Sequence, residues 1–254
     1  MTHSLAELTS DALGKVVASG MSCVLLPVGS VEPHGPHLPL GTDSYISEGA
    51  CRAAVPLLAE RGVIALVAPT MPYGVTNFAA GFAGALSVDG PVLTAMLVSI
   101  VRALRGQGFT HICVVNNHLE PAQDEAVRGV LAAFDKGVVS VACPLERRHA
   151  RTLSDEFKRG ECHAGEYETS IVLALRPELV DRAVAVGLSE VPVSLSTGIR
   201  EGKMTFTAMG MDRAYAGAPA LATVVEGEAM LSRLATMIVT EVTDALGESR
   251  PLHR

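Results

Sequence analysis

The chain has 254 residues, of which 48% are hydrophobic and 19% charged, so it can bury a core without disulfide or metal crosslinks and is not intrinsically disordered. Its formal net charge is −7 and it contains no basic run, which predicts that nucleic acid is not a partner. Gly, Pro or charged residues interrupt every apolar stretch before the roughly 18 residues of a membrane span, and no signal-peptide pattern is present, so we expect no membrane contact. The five cysteines are odd in number and widely spaced, which suits reduced thiols, so we expect a cytoplasmic protein.

The first half of the chain alternates apolar runs with helical patterns. Residues 21–28 form an uninterrupted apolar run, and residues 44–61 then place apolar side chains at helical spacing before Gly62, a natural C-cap. A second apolar run at 63–69 precedes a helical pattern at 90–105. Uninterrupted apolar runs are typical of parallel strands that are covered on both faces. We therefore predict two strands and two helices in this half.

The second half repeats this order. Residues 111–115 and 138–144 are predicted strands, and residues 121–134 and 219–246 are predicted helices that begin with Pro. A short apolar helix is also predicted at 171–175. Because strands and helices alternate and no linker or repeat divides the chain, the sequence predicts one α/β domain over its whole length, with a mostly parallel sheet between two helical layers.

Polar side chains follow two of the predicted strands. Glu32, His34 and Asp43 lie in the loop after the first strand, and His118 and Glu120 follow the third. Ligands of such sheets bind outside the carboxyl ends of the strands. Imidazole and carboxylate groups without thiolates suit Zn²⁺, Mn²⁺ or Fe²⁺ in an open catalytic site. We therefore predict that these five residues bind metal.

The spacing of these residues indicates two ions. Glu32 and His34 are separated by one residue, as are His118 and Glu120, and such residues in an extended chain project the same way about 6.5 Å apart. One ion rarely takes both members of such a pair. We predict that Glu32 and His118 bind one ion, that His34 and Glu120 bind the other, and that Asp43 bridges them. The alternative is that each residue is a helix cap or a solvated loop residue.

Three further residues are candidates, His163 and Glu166 for catalytic roles and His37 for a supporting one. His37 could orient its loop through a hydrogen bond or contact a metal, and we assign it the orienting role. His163 and Glu166 stand at or before the start of a predicted helix, where His163 could transfer a proton at neutral pH. Glu166 could hold His163 or act as a ligand. The alternative for Glu166 and Glu168 is that they only cap and solvate the helix.

Several segments resemble one known family. GSVEPHGPHLPLGTD (29–43) resembles the signature of the creatininase (creatinine amidohydrolase) family, and HAGEYETS (163–170) resembles its later motif. YGVTNFAAGFAGALS, VNNHLE and YAGAPALATVVEGE are also similar to family segments, in the family's order, so the likeness covers roughly residues 20–230. The resemblance implies an α/β/α sandwich, a two-metal site of zinc, manganese or iron, hydrolysis of amide-type carbon–nitrogen bonds, and often a hexamer.

The resemblance also assigns roles by position within the motifs. His163 matches the proton-handling position, and the metal-ligand positions are matched by Glu32, His34, Asp43, His118 and Glu120. The chain departs from the pattern where many members have His, Pro and Thr, at Ala79, Ala83 and Ala85. NNHLEP is closer to creatininase proper than to the NGHGGN of members that act as peptidases or deformylases in cofactor biosynthesis. Creatininase proper, however, surrounds creatinine with tryptophans, and this chain has none.

These observations predict a metal-dependent amidohydrolase that uses two divalent ions and a metal-activated water. Its expected substrate is a small molecule with an amide, lactam or formamide bond, or a short peptide, and the expected assembly is a homo-oligomer. One alternative is a peptidase that matures a peptide-derived cofactor. The other is a non-catalytic homologue that binds a small molecule.

Overall fold

A parallel sheet forms the centre of the computed structural model, which describes residues 3–248. Its strands are β1 (Ser22–Val28), β2 (Ile64–Val67), β3 (His111–Asn116) and β4 (Val139–Ala142). They lie side by side in the order β2–β1–β3–β4, and every neighbouring pair is parallel. The predicted α/β class and the parallel sheet are confirmed.

Helices and 3₁₀ turns make up the rest of the regular structure. The α-helices of the described residues are α1 (Ser10–Ala18), α2 (Thr42–Ala59), α3 (Gly90–Gly106), α4 (Pro121–Arg128), α5 (Arg147–Ala150), α6 (Asp155–Arg159), α7 (Glu166–Leu175), α8 (Arg182–Ala185), α9 (Leu195–Arg200), α10 (Phe206–Met209) and α11 (Val224–Glu248). The 3₁₀ turns are Leu5–Glu7, Gly129–Ala133, Pro177–Leu179 and Pro219–Leu221.

Alternate side chains of each strand pack on opposite helical layers. On one face, Cys23 and Leu25 of β1 lie in a core with residues of α2, α7 and α11. On the other face, Val24 and Leu26 lie in a second core with residues of α3 and α4. Every residue of β1 and β3 is buried, which explains why neither sequence alternates apolar and polar residues; their few polar residues stand at the strand ends. Helices therefore cover both faces of the sheet, as predicted.

Some predicted boundaries differ from the observed ones. The long C-terminal helix begins at Val224 rather than at Pro219, because Pro219 opens a separate 3₁₀ turn. The predicted helix 121–134 is α4 followed by the 3₁₀ turn Gly129–Ala133. Helix α1 was not predicted; its start is capped by Thr9, whose side chain accepts a hydrogen bond from the amide of Ala12.

The strand order locates the site. The chain passes from β1 to β2 on one side of β1 and then returns to β3 on the other side, so the order reverses between β1 and β3. Loops that leave neighbouring strands in opposite directions open a crevice at such a point. The two loops that carry the predicted metal ligands follow β1 and β3. No helix within residues 3–248 has the length and apolar character needed to cross a membrane.

Candidate metal centre

The predicted metal ligands converge at the carboxyl ends of β1 and β3. Each of the five is at most 5% exposed, although all carry ionisable side chains. His163 and Glu168 join them from the segment that opens α7, at 7% and 3% exposure. We call these residues the ligand cluster: Glu32, His34, Asp43, His118, Glu120, His163 and Glu168. The convergence supports the prediction that distant loops build one site.

Backbone carbonyls orient two of the imidazole rings. Nδ1 of His34 lies 3.0 Å from the carbonyl oxygen of Glu32, and Nε2 of His118 lies 2.7 Å from that of Val75. Because a carbonyl oxygen only accepts, each of these nitrogens carries a proton, and the opposite nitrogen of each ring faces the carboxylates. Metal-binding histidines usually donate their second N–H to a carbonyl or carboxylate in this way.

Asp43 lies between the two histidines. Its Oδ1 is 3.2 Å from Nε2 of His34, and its Oδ2 is 3.1 Å from Nδ1 of His118. The hydroxyl of Ser30 donates to Oδ2 at 2.7 Å and fixes the plane of the carboxylate. Asp43, the last residue of the signature segment 29–43, stands in the first turn of α2. Each carboxylate oxygen therefore faces a different histidine, which is the placement expected of a bridging ligand.

Glu32 and Glu120 approach His118 from the two loops. Oε1 of Glu32 is 3.3 Å from Nδ1 of His118, and Oε2 accepts a hydrogen bond from the hydroxyl of Thr76 at 2.7 Å. The two oxygens of Glu120 each accept a backbone N–H at 3.1 Å, from Asn77 and Phe78. Ligand atoms of Glu32, His118 and Glu120 lie within 4.8 Å of one another, a spacing that suits one ion.

A carboxylate that the sequence did not single out as a ligand completes a second group. Oε2 of Glu168 lies 3.6 Å from Nε2 of His34 and accepts the backbone N–H of Ala164 at 2.7 Å. Ligand atoms of His34, Asp43 and Glu168 lie within 4.8 Å of one another. The sequence predicted that Glu120 would share an ion with His34. In the structure Glu120 groups with His118 instead, and Glu168 is the glutamate that groups with His34.

Glu166, the other predicted catalytic residue, lies outside the cluster. Its side chain is half-buried and belongs to none of the close groups of His, Cys, Asp and Glu in residues 3–248. Residues 166 and 168 are two positions apart in α7, and residues at that spacing do not share a face of a helix. The structure therefore directs Glu168 into the site and Glu166 away from it.

The charges of the cluster fit divalent cations. Burial by itself lowers the pKa of His34, but the carboxylates of Asp43 and Glu168 outweigh it and raise that pKa to about 10. Burial raises the pKa of Glu168 to about 8 despite the charge of His34. In the absence of an ion, the carboxylates thus keep a proton on Nε2 of His34, the nitrogen that faces them. An ion that binds the same nitrogen displaces that proton, as metal binding to histidine generally does.

His163 lies at the edge of the cluster with one nitrogen facing it. Nε2 donates to the carbonyl of Pro33 at 3.1 Å, and Nδ1 lies 3.8 Å from Oε1 of Glu32. The ring packs between His34 and Phe206, with centroid distances of 4.6 Å and 4.3 Å. Burial and the charge of His34 lower the pKa of His163 to about 4. Nδ1 is therefore unprotonated at neutral pH and available to accept a proton.

His37 contacts the helix that carries Glu168. Its Nε2 lies 2.8 Å from the hydroxyl oxygen of Thr169, the next residue along α7, and the ring meets that of Tyr215 edge-on. His37 belongs to none of the potential metal-binding groups among residues 3–248. Burial lowers its pKa to about 4, so the ring is neutral near pH 7. This placement is compatible with the orienting role assigned from sequence.

A buried carboxylate from α6 holds the start of α7. Glu156 is 3% exposed and accepts backbone N–H groups from Glu166, Tyr167 and Ala218 at 2.7 to 2.9 Å. Gly217 has a φ of +82°, and a Cβ there would lie 2.0 Å from Oε1 of Glu156. Glu156 therefore supplies the cap that Gly165 lacks and fixes the position of the Glu168 helix. No spacing rule in the sequence distinguished Glu156 from the polar residues around it.

Six of the seven cluster residues, all except His34, form the floor of a cavity of about 180 Å³. Apart from the cluster, most of its lining side chains are hydrophobic. We call these residues the apolar wall: Phe78, Leu119, Leu145, Phe157, Leu195, Ile199 and Phe206. A cavity with mainly hydrophobic walls and a few polar groups at its floor is the general form of a small-molecule binding or catalytic site.

A family model described as "Creatininase: Creatinine amidohydrolase" matches residues 6–242. The chain belongs to the creatininase family. It is 32% identical over 245 residues to the mycofactocin precursor peptide peptidase of Mycobacterium tuberculosis (strain ATCC 25618 / H37Rv), covering 94% of this chain and 91% of that protein. It is 30% identical over 195 residues to the creatinine amidohydrolase of Pseudomonas putida, covering 70% of this chain and 73% of that protein.

Solved creatininase structures share the fold of this family member. A structure described as "Creatininase Mn" has a TM-score of 0.73 and 24% identity, with 99% of this chain and 100% of that chain covered. A mutant creatininase described as "Zn-Zn type" has a TM-score of 0.74 and 23% identity, with 99% of this chain and 100% of that chain covered. The family resemblance seen in the sequence is confirmed, and the protein is a creatininase-family hydrolase.

The contrast between Glu168 and Glu166 provides a matched test of the ligand groups. Replacing Glu168 with Gln is expected to remove the ion beside His34, since that group then loses its second carboxylate. Affinity for this ion should fall at least about 10- to 100-fold, which is the cost of losing a supporting hydrogen bond at a metal site. The variant Glu166→Gln should bind both ions normally. Calorimetric titration with Zn²⁺ measures the number and affinity of bound ions in each variant. An equal loss of Zn²⁺ affinity in the two variants would contradict the assignment of Glu168 as a ligand.

Proposed function

We propose that this family member is an amidohydrolase that uses two divalent metal ions to cleave a carbon–nitrogen bond of a small molecule. The observation that carries the proposal is the pair of ligand groups that meet at Asp43, each with one histidine and further carboxylates. Mixed imidazole and carboxylate ligation of this kind suits Zn²⁺, Mn²⁺ or Fe²⁺ at a catalytic site. The cavity of about 180 Å³ favours a small substrate, or one end of a larger one.

The metal ions and the protein would divide the chemistry between them. When bound, a pair of divalent ions lowers the pKa of water and polarises a carbonyl oxygen. Glu32, His118 and Glu120 would hold one ion, and His34 and Glu168 the other, with Asp43 shared. The hydrogen bonds from Ser30 to Asp43 and from Thr76 to Glu32 would keep these ligands in place.

His163 would carry the proton of the reaction. Its Nδ1 faces the floor of the cavity, and its Nε2 is held by the carbonyl of Pro33. Nδ1, which is unprotonated at rest, would accept a proton from the water that attacks the carbonyl carbon and pass it to the departing nitrogen, which then leaves as a neutral amine more readily than as an amide anion. Such general acid catalysis contributes about 10² to 10⁴ in rate. Phe206, which packs on the His163 ring, would limit the access of bulk water to this nitrogen.

A peptide is a second candidate substrate, supported by the comparison with known proteins. The relatives that match most of this chain include the mycofactocin precursor peptide peptidase at 32% identity over 245 residues. Hydrolysis of a peptide bond would use the same ions and the same proton donor as hydrolysis of any other amide. The non-catalytic alternative is weaker, because a protein that only binds a ligand does not need a buried cluster of mutually repelling carboxylates.

An activity screen tests the proposal. Protein loaded with Zn²⁺ or Mn²⁺ would be incubated with lactams, formamides, short peptides and creatinine, and amine release would be measured against the chelated protein. We expect hydrolysis of a non-creatinine amide that disappears on chelation. Creatinine should be a poor substrate, because aromatic faces worth about 0.5 to 2 kcal/mol each bind planar cations and this chain has no Trp. Efficient creatinine hydrolysis, or activity that survives removal of the ions, would contradict these expectations.

A further inference from the structure

The walls of the cavity indicate what part of a substrate would lie against them. The apolar wall presents aliphatic and aromatic carbon atoms to the cavity. The rings of Phe78 and Phe206, both in this wall, pack edge to face with their centroids 6.2 Å apart. A hydroxyl or ammonium group placed there would lose its water without gaining a hydrogen bond, which costs about 1 to 3 kcal/mol or more. The part of the substrate in contact with this wall is therefore hydrocarbon.

One cation lies among the lining residues. Lys158, in α6, is the only Lys or Arg that lines the cavity within residues 3–248. Its side chain is 44% exposed and its ammonium group lies 3.1 Å from Oδ1 of Asp155. Asp155 is 86% exposed, does not line the cavity and sits one turn earlier in the same helix. Exposed ion pairs of this spacing are weak, so another carboxylate can replace Asp155 at little cost.

The charges that line the cavity favour an anion beside Lys158. Its four lining carboxylates would be balanced by two divalent ions, and the neutral imidazoles add no charge. Within residues 3–248, Lys158 is then the one charged side chain that lines the cavity outside the ligand cluster. A substrate that carries a negative charge at the end facing Lys158 is attracted electrostatically both as it approaches the cavity and in the complex.

We propose that the substrate is an amide with an apolar body and a free carboxylate at the end remote from the scissile bond, and that Lys158 binds this carboxylate. This proposal rests on the proposed function, since the metal ions position the amide end. It makes Lys158 a specificity-determining residue rather than part of the catalytic machinery. Substrates that match include N-acyl amino acids and the carboxyl-terminal end of a short apolar peptide.

The experiment uses two probes that differ only at the remote end. The monohydroxamate of adipic acid and its primary amide share an apolar chain and a metal-binding hydroxamate, and only the first has a carboxylate. Their affinities for the zinc-loaded protein would be measured by calorimetry after the zinc content has been determined. We expect the acid to bind about tenfold more tightly than the amide, as hydrogen bonds to charged groups generally do.

Three variants connect this preference to one residue. Lys158→Met should abolish the preference, while Lys158→Arg should retain it. Lys203→Met is the matched control, because Lys203 is 42% exposed, lies 3.0 Å from Glu201 and does not line the cavity. This control should behave as the unaltered protein does.

The outcomes separate this inference from the proposed function. Equal affinity of the two probes, a preference that survives in Lys158→Met, or failure of both probes to bind the zinc-containing protein would overturn the inference. None of these measurements requires turnover, so an absence of amide hydrolysis would contradict only the proposed function. Far-ultraviolet circular dichroism of each variant confirms that α6 and the rest of the fold are unchanged.

Discussion

Replacing Asp43 with Asn is expected to abolish hydrolysis and to reduce the binding of both ions. Asn has nearly the same shape and can still accept the hydrogen bond from Ser30, but its NH₂ group cannot bind a metal. The two histidines on either side of Asp43 would then lose the carboxylate that they share. Because divalent ions in such sites lower the pKa of bound water to about 7, we expect turnover to fall more than about 10³-fold.

Elemental analysis and steady-state kinetics measure the two parts of this expectation. The control is Asp11→Asn, a substitution of an exposed aspartate in the first turn of α1 that should change neither measurement. Thermal unfolding of metal-free protein shows whether the fold survives in both variants. Full activity of Asp43→Asn, with two ions still bound, would show that the bridging ligand lies elsewhere.

Replacing His163 with Ala is expected to lower kcat while both ions remain bound. His163 belongs neither to the Glu32–His118–Glu120 group nor to the His34–Asp43–Glu168 group, although it forms a third close group with Glu32 and His34, and its Nδ1 lies 3.8 Å from Oε1 of Glu32. Removing a proton donor of this kind costs about 10² to 10⁴ in rate. KM should change less than kcat, since the interaction lost is one made in the transition state.

Added imidazole separates proton transfer from packing. The deletion leaves a gap beside Phe206 that an imidazole molecule fits, and partial recovery of kcat with imidazole concentration is the expected result. His111→Ala is not a suitable control because that ring is buried in β3, whereas His3→Ala changes an exposed residue far from the cavity. Loss of an ion in His163→Ala would reassign the residue as a ligand, which its position near Glu32 and His34 would then explain.

The sequence predicted the sheet well because each strand is covered on both faces. A strand buried in this way has no polar side, so its central residues form one uninterrupted apolar run, as in residues 23–28 of β1 and 112–115 of β3. The placement of ligands after these two strands followed from the same reasoning, since parallel strands end at a common edge. The identity of most members of the cluster could therefore be predicted from strand ends alone.

The choice between Glu166 and Glu168 could have been made from helical spacing. Glu168 is three, four and seven residues before Ile171, Val172 and Leu175, so it continues an apolar stripe toward the interior. Glu166 does not belong to that stripe, and its side chain is half-buried. The prediction of Glu166 as the functional residue is therefore the one that helical spacing does not favour.

Other features of the site had no local signal. The division of ligands between the ions depends on how Glu120 meets the amides of Asn77 and Phe78, a contact across more than 40 residues. The cap that Glu156 provides joins α6 to α7 and to Ala218, which lies 62 residues further along the chain. Contacts of this kind are set by the packing of whole elements and leave no periodic pattern in the sequence.

The floor and the wall of the cavity differ in how freely they can evolve. The floor lies at the edge of the sheet, where most ligand side chains contact backbone N–H or carbonyl groups or other ligands. Most residues of the apolar wall come from the part of the chain after β4, including α6, α9 and α10. Those three helices contribute no residue to either ligand group. Substitutions at Leu145 or Ile199 can therefore reshape the pocket without moving the ligand groups. Phe206 is the exception, because it packs on His163, and changes there should alter substrate range and rate together.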